Sequence, residues 1–162
     1  MIFWEVFLHS LKLPAKKPMF QLNRVDMHII LIYLFFLIFI ISLPSFFNQL
    51  IHPVGMAEEL NIIFFLIYFF IFSYIPITIA IILYLLLIAL VGKWLAKLLQ
   101  RKLHYATIWK LTTCAATIPF LIYTIIAFIY PVDDVYLLLS GIYIIILIVK
   151  MILVYPKRRK KN

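Results

Sequence analysis

The chain has 162 residues, 67% of them hydrophobic and 17% aromatic, with only 13% charged and a formal net charge of +9. Soluble domains carry charged residues near a quarter of the total, so this composition, with a mean hydropathy of +1.14, excludes one and indicates a single integral membrane domain. The basic excess does not imply nucleic acid, because the 15 Lys and Arg residues cluster beside apolar runs, where anionic lipid headgroups are the nearer partner.

Residues 1–26 read as a cytoplasmic or interfacial N-terminus. Ile2 to Leu13 lacks a basic leader and is interrupted by Glu5, His9 and Lys12, so it does not have the form of a cleavable signal. Those polar residues and Lys16 recur at helical spacing, opposite Ile2, Phe3, Val6, Phe7 and Leu11. This predicts an amphipathic helix ended by Pro14 and Pro18. It either lies in the membrane interface, with Trp4 at the headgroup level, or packs against the spans.

Four apolar runs follow. Residues 27–46 form the first predicted span and 47–60 an outer loop containing Pro53, Gly55, Glu58 and Glu59. Residues 61–92 carry no charged side chain and form a second span, long or broken near Pro76. Residues 93–106 are a basic cytoplasmic segment with Lys93, Lys97, Arg101 and Lys102. Residues 107–130 are the third span, 131–134 an outer turn with Asp133 and Asp134, 135–155 the fourth span, and 156–162 a basic tail. With continuous runs and only 3 glycines, the spans are helices rather than barrel strands.

The run 61–92 makes a helix of about 48 Å at 1.5 Å per residue, against a hydrocarbon core of about 30 Å. Charge chooses between one crossing and two. With one crossing, all 15 basic residues face the cytoplasm, while Glu58, Glu59, Asp133 and Asp134 lie outside. Two crossings would move Lys93, Lys97, Arg101, Lys102 and Lys110 outside, against the positive-inside bias. The expected architecture is therefore an all-α integral membrane bundle of four transmembrane helices with both termini cytoplasmic; it becomes five if 61–92 crosses twice. No internal repeat or flexible linker divides it.

The third span is compositionally different. It reads ATIWKLTTCAATIP from Ala106 to Pro119, with a lysine, four threonines and a proline in hydrophobic surroundings. Lys110, Thr113, Thr117 and Thr124 share one helical face, and the small residues beside them suit close interhelical packing. Pro119 removes one helical hydrogen bond and predicts a kink. On the fourth span Tyr136, Ser140, Tyr143, Leu147 and Lys150 form a comparable stripe, and the two faces are expected to pack together. Lys110 and Lys150 lie near the cytoplasmic ends. Each either snorkels to the headgroups or caps an inner-leaflet cleft for anionic lipid or a partner's acidic residue.

That Thr-rich segment, and FLHSLKLPAKKPMFQLNR leading to ISLP at the N-terminal end, resemble a family of uncharacterised bacterial membrane proteins that includes a maltodextrin-utilization, YvdJ-type branch. The family is also distantly similar to the five-span Yip-type proteins of membrane trafficking. The resemblance implies a multi-span protein of the bacterial cell membrane, with no associated reaction. Members commonly carry an extracellular insertion after the first span, and this chain is a short form without it.

No catalytic, metal-binding or cofactor-binding set emerges. His9, His28, His52 and His104 lie in separate segments without ligand spacing. Glu58, Glu59, Asp133 and Asp134 read as solvated loop acids, with cation ligation as the sharper alternative. No carboxylate lies deep in a span, which removes the usual mark of proton-coupled transport. Serines Ser42, Ser45, Ser73 and Ser140 have no nucleophile motif, and Cys114 reads as a small buried hydrophobe. The expected function is a non-enzymatic accessory or scaffold protein that binds another membrane protein or anionic lipid. The alternatives are a small oligomeric transporter or channel component and, last, a lipid-active enzyme.

Overall fold

A computed structural model of the chain describes residues 2–52 and 61–156. Pro53, Gly55, Glu58 and Glu59 of the expected outer loop, and the basic tail from Lys157 to Lys161, lie outside the described residues. All regular elements among the described residues are helices: α1 Ile2–Leu11, α2 Lys16–Arg24, α3 Met27–Ile51, α4 Ile62–Phe69, a π-helical turn Phe70–Tyr74, α5 Ile75–Leu98, α6 Tyr105–Ala115, α7 Thr117–Ala127 and α8 Val135–Val154. Four units are long and apolar enough to cross a membrane: Met27–Ile51, Ile62–Leu98, Tyr105–Ala127 and Val135–Val154.

The N-terminus holds two helices where the sequence suggests one. Pro14 closes α1, and Pro18 does not stop α2, because it sits in the first turn, where its missing N–H has no helical partner to lose. The pair folds as a hairpin against the bundle. Val6, Ser10, Leu13, Met19 and Leu22 are buried, and α1 touches α3, α6 and α7 while α2 lies on α6 and α8. Packing against the spans is thus the observed arrangement. The outer side of α1 mixes apolar and charged groups, with Trp4, Leu8 and Leu11 exposed beside Glu5.

The second span runs as one helix from Ile62 to Leu98, with no turn at Ile75-Pro76 to permit a second crossing. Pro76 cannot donate a backbone hydrogen bond, and its ring crowds the carbonyl one turn earlier. The chain meets this with a π-turn just before it, in which the Ile75 N–H donates to the Phe70 carbonyl. Thr78 Oγ1 also donates to the Tyr74 carbonyl at 2.8 Å, the back-bond to the preceding turn that a threonine makes inside a helix. The helix continues through Lys93 and Lys97, so the first part of the expected basic segment is helical. It ends in a Schellman-type cap: Gln100 takes the left-handed conformation (φ 53°) and the Arg101 N–H donates to the Ala96 carbonyl at 2.9 Å.

The third span is two helical segments joined at Ala116, three residues before Pro119. It is the least hydropathic of the four and the most enclosed. Fifty-six per cent of its most apolar stretch is buried, against 28% for the second span and 39% for the first and fourth. Its threonines and alanines are therefore the centre of the bundle, while the Ile, Leu and Phe surfaces of the other spans face outward. Close approach explains the two span glycines. A Cβ at Gly92 would meet Ile108 Cγ2 at 2.9 Å and Ile148 Cγ2 at 3.1 Å, and one at Gly141 would meet Tyr84 Oη at 2.8 Å.

Candidate functional site

Two polar regions occupy the bundle. The first is the buried face of the third span. Lys110 Nζ donates to the carbonyls of Asn23 at 2.9 Å and Val25 at 2.8 Å. The lysine thus caps the carbonyl end of α2, where a cation also opposes the negative pole of the helix. Of the two sequence expectations for Lys110, neither described this intrachain strap. Two turns further along the span, Thr117 Oγ1 and Tyr33 Oη are 2.8 Å apart, joining α7 to α3. Ser10 of α1 lies beside Tyr33 and Cys114. Thr112 and Thr124 donate to the Ile108 and Phe120 carbonyls within their own helices. Thr113 is fully buried, and its hydroxyl has no partner among the described residues.

The expected pairing of the two polar stripes is met at one point only. Tyr136 Oη donates to the Pro119 carbonyl at 2.6 Å, linking α8 to the carbonyl side of the kink. Beyond it the stripes part. Thr117 turns to Tyr33 on α3, whereas Ser140 turns to Tyr84 on α5 at 3.0 Å. Of the stripe on α8, Ser140 and Leu147 are buried, whereas Tyr143 and Lys150 are exposed; Gly141, Ile144, Ile148, Met151 and Ile152 complete the buried face. At Gly141 the missing Cβ leaves room for the Tyr84 hydroxyl, which reaches across from α5 to the Leu137 carbonyl.

The second region is a cavity of about 360 Å³ at the end of the bundle that carries the 131–134 turn. Its walls come from α3 (Ile41, Ser45), α5 (Ile77, Ala80, Ile81, Tyr84), α7 (Phe120, Tyr123), the turn (Val132, Asp133, Asp134) and α8 (Tyr136, Leu137, Ser140). That volume is at the lower end of the range of small-ligand sites. The Tyr123 and Tyr136 rings meet at a tilt of 53°, with centroids 5.7 Å apart. Tyr84 and Ser140 both donate to the Leu137 carbonyl, each at 2.8 Å. Sequence reasoning selected Tyr136 and Ser140 here and missed Tyr84 and Tyr123. The signal for Tyr84 was its position in an otherwise aliphatic run, where a phenol needs a hydrogen-bond partner.

The opposite end is basic. The Arg101 guanidinium bonds the Tyr155 carbonyl, Lys93 sits over the Tyr105 ring at 5.7 Å, and burial pushes the Tyr155 phenol above its ordinary value. Among the described residues no group of three or more His, Cys, Asp or Glu side chains is placed to hold a metal ion.

The family model described as "Protein of unknown function (DUF1189)" matches residues 48–155, more than half of the chain, and the chain belongs to that family. The match runs from the end of α3 through α8, covering three of the cavity's helical walls and leaving out the N-terminal hairpin. No curated protein and no solved structure matches the chain.

Proposed function

We propose that this DUF1189 member is a non-enzymatic accessory or scaffold protein of the bacterial cytoplasmic membrane that binds another membrane protein. Both termini lie on the cytoplasmic side, where the basic rim is held by anionic headgroups. The observation that carries this reading is the excess length of the second helix. From Ile62 to Leu98 it measures about 55 Å, against a hydrocarbon core of about 30 Å. Its first third leans on α3 through Phe65 and Phe69, which meet Phe46 at centroid distances of 5.8 and 4.9 Å. The rest of that arm is bare: Ile62, Ile63, Phe64, Ile67, Ile71 and Phe72 are all exposed. Phe47 touches Phe128 at the end of the third span, so the arm continues past the point where that span stops. A long apolar surface there fits a partner's transmembrane segment. By contrast, the interior threonines are engaged in holding the chain's own helices together.

A photo-crosslinking side chain at Ile63 or Phe72, in native membranes, is expected to yield a discrete protein adduct. The same group at the lipid-facing Leu139 serves as the control. Lipid adducts alone at all three positions would remove the scaffold reading, and an adduct to a second copy of the chain would favour the oligomeric alternative. Orientation is tested separately: a cysteine at Gln100 is expected to be shielded from impermeant reagents added outside intact cells.

A further inference from the structure

The cavity beneath the 131–134 turn has a chemical bias that selects its ligand. Its three deeper hydroxyl donors are consumed internally: Tyr84 and Ser140 donate to the Leu137 carbonyl, and Tyr136 donates to the Pro119 carbonyl. With their protons engaged, those hydroxyls offer the cavity lone pairs, and Tyr84, Tyr123 and Tyr136 all line it. Asp133 and Asp134 stand at the rim, both lining the cavity and both exposed. Ser45 Oγ accepts a hydrogen bond from Gln49, at 3.1 Å. No Lys, Arg or His lines the cavity. The sequence supplies no Lys or Arg between Asp26 and Lys93 or between Lys110 and Lys150, so none is near this end of α3, α5, α7 or α8. The remaining walls are Ile, Ala, Leu, Val and Phe.

We propose that this cavity binds the ammonium group of a small amphiphile. The cation would sit at the Tyr123, Tyr136 and Tyr84 ring faces under Asp133 and Asp134, with a short apolar tail along Ile41, Ile77 and Ile81. Aromatic faces and carboxylates are complementary to an alkylammonium, whose charge is diffuse and whose desolvation is cheap compared with that of a metal ion. An anion would meet two carboxylates and no donor cation. A neutral alkyl chain would gain only the apolar wall. The ammonium can come from a soluble amine or from an aminolipid headgroup reaching in from the bilayer.

The test uses the full chain in phosphatidylglycerol nanodiscs, which contain no amine headgroup. Hexyltrimethylammonium is titrated by calorimetry beside hexanol and hexanoate. The expected result is saturable binding of the ammonium at least about 10-fold tighter than either comparator. The Asp133→Asn/Asp134→Asn double variant should lose about 10-fold in affinity with an unchanged circular dichroism spectrum. Tyr123→Leu, which removes a ring that makes no hydrogen bond among the described residues, is the second variant and should weaken binding in the same direction. Native mass spectrometry after exchange into phosphatidylethanolamine nanodiscs separates the sources. A retained aminolipid that is lost in the Asn variant identifies the headgroup, and its absence alongside binding of hexyltrimethylammonium identifies a soluble amine. Equal binding of hexanol and the ammonium, or undiminished ammonium binding in both variants, overturns the proposal.

Discussion

Replacing Lys110 with Met removes the strap between the third span and the N-terminal hairpin. The ammonium bonds two carbonyls at the end of α2, at 2.9 and 2.8 Å. Charge-assisted hydrogen bonds contribute roughly 1.5–3 kcal/mol each, and two from one ammonium are not additive, so about 3 kcal/mol is a fair magnitude. Met preserves most of the apolar stem, so the loss falls on the hydrogen bonds rather than on packing. The hairpin has its own buried anchors in Val6, Leu13, Met19 and Leu22, and it should therefore open locally without unfolding the spans. An opening free energy lower by about 3 kcal/mol corresponds to an open population larger by roughly 100-fold. Hydrogen exchange in nanodiscs reads this directly. Amides of Lys16–Arg24 should lose roughly 100-fold in protection while those of α8 are unchanged. Lys150→Met is the control, since Lys150 is exposed and should leave both segments as they were. Undiminished protection of α2 in Lys110→Met would refute the capping role and return Lys110 to a headgroup-seeking lysine.

Gly92→Ala forces a methyl to within 2.9 Å of Ile108 and 3.1 Å of Ile148; such overpacking costs about 1–3 kcal/mol and should lower the thermal midpoint in nanodiscs. An unchanged midpoint would mean that α5, α6 and α8 are less tightly held than their approach implies. A double-mutant cycle between Tyr33→Phe and Thr117→Val is expected to give a coupling of about 0.6 kcal/mol, the usual size for interhelical bonds in membranes; zero coupling would disprove that this hydroxyl pair ties α3 to α7. Gln100→Gly relieves a left-handed conformation in a non-glycine residue and should stabilise by about 0.5 kcal/mol. A drop in the midpoint of that variant would count against the Schellman cap.

The third span shows how a sequence pattern can be sound while its partner is misassigned. Spacing alone puts Lys110, Thr113, Thr117 and Thr124 on one face, and all three threonines are buried. The partners of that face are Tyr33 on α3 and the backbone at the end of α2. A hydroxyl pattern states that something must pack there but does not carry the identity of the neighbour. Likewise, Pro14 and Pro18 look like a double stop, and only the local backbone reveals that Pro18 opens a second helix.

Hydropathy and charge by themselves determined that the chain is an all-helical membrane protein with four spans, because twenty-residue apolar runs have no other way to satisfy their backbone in lipid. They also identified Pro119 as the break in the third span, since a missing N–H acts on its own helix whatever surrounds it. Tertiary structure alone decided that the least apolar span is the central one, that Lys110 closes the end of α2, and that Tyr84, Tyr123 and Tyr136 converge below Asp133 and Asp134. These depend on how helices distant in sequence rotate against one another. Two glycines accommodate the result: Gly92 leaves room for Ile108 and Ile148, and Gly141 for the Tyr84 hydroxyl.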